Sequence, residues 1–478
     1  MLFNSMHFIV FFILIVTLYF SIAYRYRWIL LLTASYYFYM CWKLEYIVLI
    51  FASTVVDYFC GLKIFHSESK TTKKYFLLLS LIVNLGLLFS FKYYNFFSDS
   101  IRAAFETIDL TVTFPHLNVL LPVGISFYTF QTLSYTIEIY RGNMAPERHF
   151  GIFALFVSFF PQLVAGPVER ANNLIPQLKT RYSFDAERVK SGLKLMLLGF
   201  YKKIVVADSV GIYVNQVYNN CYDYEGWQLI IATILFAFQI YGDFSGYSDI
   251  AIGAARVMGY DLLTNFRFPL FAKSVPDYWR RWHISMSTWF KDYIFIPLGG
   301  NRCKKWRWYF NIFIVFFLSG FWHGANWTFV IWGMIHGIYM ISSIATKSLR
   351  RKFRDQLNVT PFIQKGIRIF IAFNLVAFSR IFFRGNSVEE SWYILTHLCT
   401  DLSNFSGLSV SIGKYTAVVS FLAALSLVLV ELVQINYSKN ARFNRLPIGV
   451  RWSFYFAMIF IIIIFGVDYN TQFIYFQF

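Results

Sequence analysis

The sequence predicts an all-α, polytopic integral membrane protein, on three observations. Of its 478 residues, 57% are hydrophobic and only 14% charged, against roughly 25% charged in a soluble domain. Mean hydropathy is +0.51. Apolar runs of about 17–25 residues, the length that spans a bilayer as a helix, alternate with short loops rich in Lys and Arg.

The first run, about His7 to Ala23, has no basic segment before it and no small-residue cleavage site after it. It is therefore expected as a first spanning helix, not a removable signal. Arg25 and Arg27 follow, placing that loop in the cytoplasm by the positive-inside rule. Runs 28–42 and 45–62 return the chain to the basic segment Lys63 to Lys74. Run 75–91 leads into 93–119, whose mixed charges and aromatics suggest an external loop or interfacial segment. Run 120–139 ends at Arg141 and Arg148. Runs 151–165 and 243–258 are short and interrupted by Gly, Pro and charge. They are expected as broken or re-entrant helices, which a bilayer tolerates only inside protein or along a cavity.

Basic clusters at Arg302 to Arg307, Lys347 to Arg354 and Lys439 to Arg451 fall on the cytoplasmic side if 367–383 and 416–434 form an out-and-back pair. Run 452–470 then leaves the C-terminus outside, with the aromatics of Tyr469 to Phe478 as interfacial anchors. The expectation is about eleven spans plus one or two broken segments, in one membrane domain over 1–478. The net charge of +18 would suggest nucleic acid in a soluble protein. Here the cations sit in short loops, so no nucleic-acid partner is expected. Five scattered cysteines without a C-x-x-C pair exclude a disulfide framework or Cys-based zinc site; most are expected as small buried hydrophobes.

Polar residues inside the apolar pattern are the candidates for function. In Tyr241-Gly242-Asp243-Phe244-Ser245-Gly246-Tyr247-Ser248-Asp249, Gly242 and Gly246 form a small-xxx-small pair that permits close helix approach. Asp243 and Asp249 cost about 3 kcal/mol each at membrane depth unless paired or wet. Either they satisfy Arg256 or nearby backbone, or they line a polar cavity.

Residues 274–293 open with a helix start signal, Ser274 followed by Pro276 and Asp277. At 100° per residue, Trp279, Trp282, His283, Met286, Trp289, Phe290 and Tyr293 share one face and the polar residues the other. This predicts one amphipathic helix in the membrane interface, ended by Pro297 and Gly299-Gly300. His283, taken alone, reads as a packed structural histidine. His323 divides a nearly uncharged stretch from Trp308 to Ala345. Gly320 and Gly324 beside it would leave room for a substrate chain, and a buried neutral imidazole can take a proton from a hydroxyl attacking a thioester. The competing reading is a hydrogen-bonded core histidine, which His336 receives more firmly. No G-x-S-x-G elbow, H-E-x-x-H or H-x-x-x-x-D box occurs. Gly407 to Lys414 has the wrong spacing for a P-loop, so nucleotide-driven transport and metal-centred chemistry are not supported and no metal is assigned.

The run Trp279-Arg280-Arg281-Trp282-His283-Ile284-Ser285-Met286-Ser287-Thr288-Trp289, then Asp292-Tyr293 and Ile296-Pro297-Leu298-Gly299-Gly300-Asn301-Arg302, resembles the signature of the membrane-bound O-acyltransferase family. Phe321-Trp322-His323-Gly324-Ala325-Asn326-Trp327 is similar to its catalytic-histidine motif. Leu121 to Gln131, Phe160 to Pro167 and Asp243 to Asp249 resemble the bacterial branch. The motif core spans about 121–337, and the Gly-Ala-Asn-Trp after His323 is closest to the branch that O-acetylates alginate-like polysaccharides.

That resemblance implies a ring of helices around a central tunnel, with His323 as catalytic histidine and His283 as the second motif histidine. Asn326, Trp322, Asp243, Ser245, Asp249, Gln131, Trp279 and Asp292 are the substrate or tunnel candidates. It implies no bound cofactor, with acetyl-CoA as donor on the cytoplasmic side of the cell membrane. Arg302, Lys304, Lys305 and Arg307 would hold its phosphates or serve only as anchors. An esterase-like extracytoplasmic partner would complete transfer to a polysaccharide hydroxyl. D-alanyl transfer to a teichoic acid-like polymer is the alternative within the family. Outside it stand a lipid-linked sugar transporter using Asp243 and Asp249 as a proton relay, and a scaffold anchoring a secreted partner.

Overall fold

The computed structural model describes residues 1–164, 166–356, 359–403, 413–438, 447–466 and 473–474. Every regular element among them is helical, as the composition predicts. Among the described residues, seven helices are long and apolar enough to cross a membrane by length and composition, and two shorter apolar ones, Met6–Ser21 and Phe150–Leu163, accompany them. Expected runs 28–42 and 120–139 also fold as helices, Tyr24–Met40 and Ile125–Tyr140, as does Lys305–His323 within the uncharged stretch from Trp308 to Ala345, though these three fall outside that criterion. The protein is an all-α, multi-pass membrane protein. The chain divides into two compact units: Met1–Met196 with Ile250–Thr264, and Leu197–Asp249 with Asn265–Phe478.

The first unit is tied together by a buried polar knot that the hydropathy pattern conceals. The Asp57 carboxylate accepts hydrogen bonds from Ser80 Oγ (2.5 Å) and from Asn84 Nδ2 (2.9 and 3.0 Å). Ser53 and Thr132 donate to Asn84 Oδ1 at 2.8 and 3.2 Å. Helices Ile47–His66, Lys70–Leu88 and Ile125–Tyr140 are thereby joined by bonds that have no water to compete with them. As expected, the 151–165 run is broken. Phe150–Ser158 ends at Phe159, and a short turn, Phe160–Leu163, begins with Pro161 near its start. Residues 94–106, expected in a loop or interfacial segment, instead continue the preceding helix through a π-turn, Phe89–Tyr93, into Tyr94–Glu106.

In the second unit, 243–258 is not a broken segment but the end of an unbroken 32-residue helix, Trp227–Met258. Its glycines serve close approach, as the small-xxx-small spacing predicts, and not flexibility. A Cβ on Gly246 would lie 2.8 Å from Gly199 O and 3.0 Å from Lys203 N, and one on Gly242 3.0 Å from Lys202 O. The backbone they meet is a π-helix, Tyr201–Ala207, that joins Ala186–Phe200 to Asp208–Asn219.

The continuous helix expected over 274–293 is overturned. Val275–Trp279 and Ile284–Phe290 are separate helices, and a π-turn, Lys291–Phe295, follows. The break falls at His283, whose φ of +44° is left-handed, a conformation uncommon outside glycine. The apolar face was nonetheless identified, since Trp279, Trp282, His283, Met286, Trp289 and Phe290 are all buried. Protein, not the membrane interface, covers them, and Ser285 from the polar face is buried as well. Among the cysteines only Cys60 and Cys221 are buried, while Cys41 and Cys399 are exposed, a correction to their expected burial. Gly407 to Ile412 and most of the Lys439 cluster lie outside the described residues, as does most of Tyr469 to Phe478. Its described members, Phe473 and Ile474, are buried and are not surface anchors.

Gly246→Leu should cost about 2 kcal/mol or more by overpacking, seen as loss of monodisperse protein in detergent. Gly86→Ala, with open space around it, should leave yield and thermal stability unchanged.

Candidate active site

The site is built on a helical hairpin, Lys305–His323 and Trp327–Ala345. Its two helices touch where Gly320 meets Gly333: a Cβ on either would lie 3.0 Å from the other's Cα. A Cβ on Gly324 would run into the Phe329 ring. The glycines expected to leave room for substrate therefore serve helix packing instead. Gly324 is extended and ends the first helix at His323. Asn326 starts the second, its Oδ1 accepting from Thr328 N at 3.0 Å, the usual N-cap bond. Its Nδ2 donates to Asn386 O at 3.0 Å. These contacts fix His323, only 2% exposed, against the rings of Trp332 (5.0 Å, 89°) and Phe383 (5.3 Å).

His283 is fully buried. Its left-handed turn is clamped by two backbone bonds, Arg267 N–H to Arg281 O and Ile284 N–H to Asn265 O, both 2.9 Å. Asn265 Oδ1 accepts from His283 Nδ1 at 2.9 Å and from Ser285 Oγ at 3.0 Å. With that amide orientation the proton sits on Nδ1 and leaves Nε2 as an acceptor. Burial pushes the His283 pKa down to about 3, so the ring is neutral at physiological pH. The Trp322 ring lies 6.1 Å from His283 and 5.0 Å from His323. The two motif histidines thus share one indole.

His336 behaves as the structural reading expects. Trp279 Nε1 donates to its Nδ1 at 3.2 Å, which places the proton on Nε2 facing Ser379 Oγ at 2.9 Å. Trp279 also walls an apolar cavity of about 340 Å³, together with Met286, Phe290, Phe316, Ser319 and Met340.

A family model described as the membrane-bound O-acyltransferase family matches residues 111–381. The chain belongs to that family. Among curated proteins it is 37% identical over 397 residues to a probable alginate O-acetylase of Azotobacter vinelandii, covering 82% of this chain and 77% of that protein. It is 35% identical over 391 residues to a peptidoglycan O-acetyltransferase of Helicobacter pylori, covering 76% and 72%. A teichoic acid D-alanyltransferase of Streptococcus thermophilus is 27% identical over 295 residues, covering 57% and 70%. This protein is a membrane O-acyltransferase.

Of the residues singled out in this acyltransferase, His323, His283, Trp322, Trp279 and Asn326 gather around the hairpin. Asp292 is part-exposed beside Lys291, 4.0 Å away, and Lys291 lines the cavity. Gln131 lies in the first unit, where its Nε2 donates to Phe156 O at 2.6 Å. Asp243 and Asp249 do not pair with Arg256, which reaches Ser191 at 3.3 Å. Lys203 Nζ sits 2.8 Å from both Asp243 and Asp208, and Lys202 Nζ 2.8 Å from Asp249. Ile474 N–H donates to Asp243 Oδ2 at 2.7 Å, and Tyr241 O–H donates to Glu431. Ser245 is buried in the same helix. The lysines were the missed signal: Lys202-Lys203 interrupts an apolar run and matches two aspartates in need of cations. Asn265 and Arg380 were also missed. Arg380 is buried against Tyr278 (2.8 Å) and Ala237 O (3.2 Å), with its guanidinium 4.9 Å from the Trp282 ring. Among the described residues no group of three His, Cys, Asp or Glu is placed to hold a metal.

Lys203→Met leaves Asp208 and Asp243 buried together without that cation and should cost about 3–5 kcal/mol, measured as a lower Tm in detergent. Asn265→Ala frees the His283 ring, and a shift of about 1 Å in a positioned group can lower turnover roughly 100-fold; acyl transfer at normal protein yield is the check.

Proposed function

We propose that this acyltransferase takes an acetyl group from acetyl-CoA on the cytoplasmic side of the cell membrane. The acetyl group is delivered for O-acetylation of an extracytoplasmic polysaccharide, completed by an esterase-like partner. His323 is the base. The observation that carries the reading is the placement of His323 at a helix end, walled by aromatic rings and one indole away from a neutral, amide-held His283. In such a site His323 takes the proton of the attacking hydroxyl. The new C–O bond forms at the thioester carbonyl, the C–S bond breaks, and the proton passes to the departing thiolate. The two relatives named for O-acetylation, 37% and 35% identical, support acetyl as the acyl group. The basic cluster Arg302, Lys304, Lys305 and Arg307, on the chain just ahead of and into the His323 helix, supports an anionic donor.

D-alanyl transfer is the second reading, favoured by the likeness to a teichoic acid D-alanyltransferase. The transporter reading loses support from the ion pairs of Asp243 and Asp249, which occupy both carboxylates with lysines.

With radiolabelled acetyl-CoA and equal amounts of purified protein, His323→Ala should lower acetyl transfer or thioester hydrolysis by about 10²–10⁴-fold. Equal activity in both proteins rejects His323 as the base. Transfer abolished by Asp249→Asn but untouched by His323→Ala points to the transporter. Label incorporated from D-alanyl carrier and not from acetyl-CoA selects the second reading.

A further inference from the structure

We propose that the Ser319 hydroxyl donates a hydrogen bond to the thioester carbonyl of the acyl donor, whose linear arm lies in the apolar cavity beside the Lys305–His323 helix. This rests on the acetyl-CoA reading above and adds a residue to it that no motif contains.

Ser319 is 4% exposed, and its Oγ has no hydrogen-bond partner among the described residues. A buried hydroxyl without a partner is costly, and a helical serine ordinarily escapes by bonding the carbonyl four residues back. Ser319 does not take that bond, and it lines the 340 Å³ cavity. It lies four residues before His323, on the same helix face, where side chains are neighbours with about 5–6 Å between Cβ atoms. His323 does not itself line the cavity, and Ser319 is where the cavity comes within one helical turn of the imidazole.

The cavity's shape describes its ligand. Trp308, Ile312, Phe316 and Ser319 line it from one helix, a stretch of about 16 Å at 1.5 Å per residue. Its volume equals on the order of ten waters, far more than an acetyl group fills. Lys291 and Asn301 line it too, and Arg302, Lys304, Lys305 and Arg307 adjoin the Trp308 end in sequence. The matching ligand is a thin, linear arm with a hydrogen-bond acceptor near Ser319 and anionic groups at the other end. A phosphopantetheine thioester has its groups in that order.

During transfer the acceptor hydroxyl oxygen bonds to the carbonyl carbon while His323 takes its proton. The carbonyl electron pair moves onto the oxygen held by Ser319 O–H. As that intermediate collapses, the C–S bond breaks and the thiolate recovers the proton from His323. Ser319 keeps its own proton throughout. Its role is charge stabilisation, worth about 10²–10³-fold in kcat for a single donor.

The test uses the full-length purified protein with acetyl-CoA. Ser319→Ala should lower kcat about 100-fold with KM little changed, and Ser319→Thr, which keeps the hydroxyl, should recover most of it. Binding of two unreactive coenzyme A analogues gives a readout independent of turnover: a ketone that retains the carbonyl and a propyl thioether that lacks it. Ser319→Ala should weaken the ketone about fivefold and leave the thioether unchanged. Wild-type kcat in Ser319→Ala, equal weakening of both analogues, or acetyl found covalently on Ser319 would each overturn the role. A wild-type protein that neither turns over acetyl-CoA nor binds either analogue overturns the donor assignment itself. Normal wild-type turnover with an indifferent Ser319→Ala removes only the serine.

Discussion

Lys203, held between Asp208 and Asp243, states the constraint on which the second unit depends. Charges taken out of water into a low-dielectric interior must be paired with good geometry or excluded. One ammonium 2.8 Å from each of two carboxylates meets that condition, and Lys202 with Asp249 repeats it one residue earlier. The glycines of the Trp227–Met258 helix make the pairing possible, because only a helix without Cβ atoms at 242 and 246 can lie so near the π-helix that carries both lysines. The π-turn and the glycine spacing are two sides of one contact. Asp57 in the first unit follows the same rule with neutral partners, Ser80 and Asn84.

The histidine site obeys a related constraint. An imidazole in an apolar pocket must be oriented by something other than water. For His283 that role falls to Asn265, reached only because the chain adopts a left-handed turn at the histidine itself. The strain of that turn is balanced by two backbone bonds to 265 and 267. For His323 the orientation comes from ring packing against Trp332 and Phe383 and from the tight Gly320–Gly333 crossing. The fold gives the two histidines a shared indole, Trp322.

Much of this was legible in the chain. Composition and run length determined an all-α, multi-pass protein, because in a bilayer hydrophobic length is the dominant energetic term. The motifs around His283 and His323 identified the family. Helical periodicity correctly separated the buried residues of 275–290 from most of the polar ones, since burial follows side-chain chemistry even where the backbone departs from a helix.

Tertiary structure alone decided the rest. The break at His283 leaves no mark in the hydrophobic period, because it is set by bonds to Asn265 and Arg267, far enough away in sequence to be invisible to a local pattern. The partners of Asp243 and Asp249 lie some forty residues upstream on another helix, while the nearer Arg256 satisfies itself elsewhere. Gly320 looked like room for a ligand and proved to be a helix crossing, since a missing Cβ says only that something comes close. Ser319 reads in the sequence as one more small polar residue in an apolar helix. Only the packed structure shows its hydroxyl buried beside a cavity without a partner, because hydrogen-bond satisfaction belongs to the assembled fold and not to the chain.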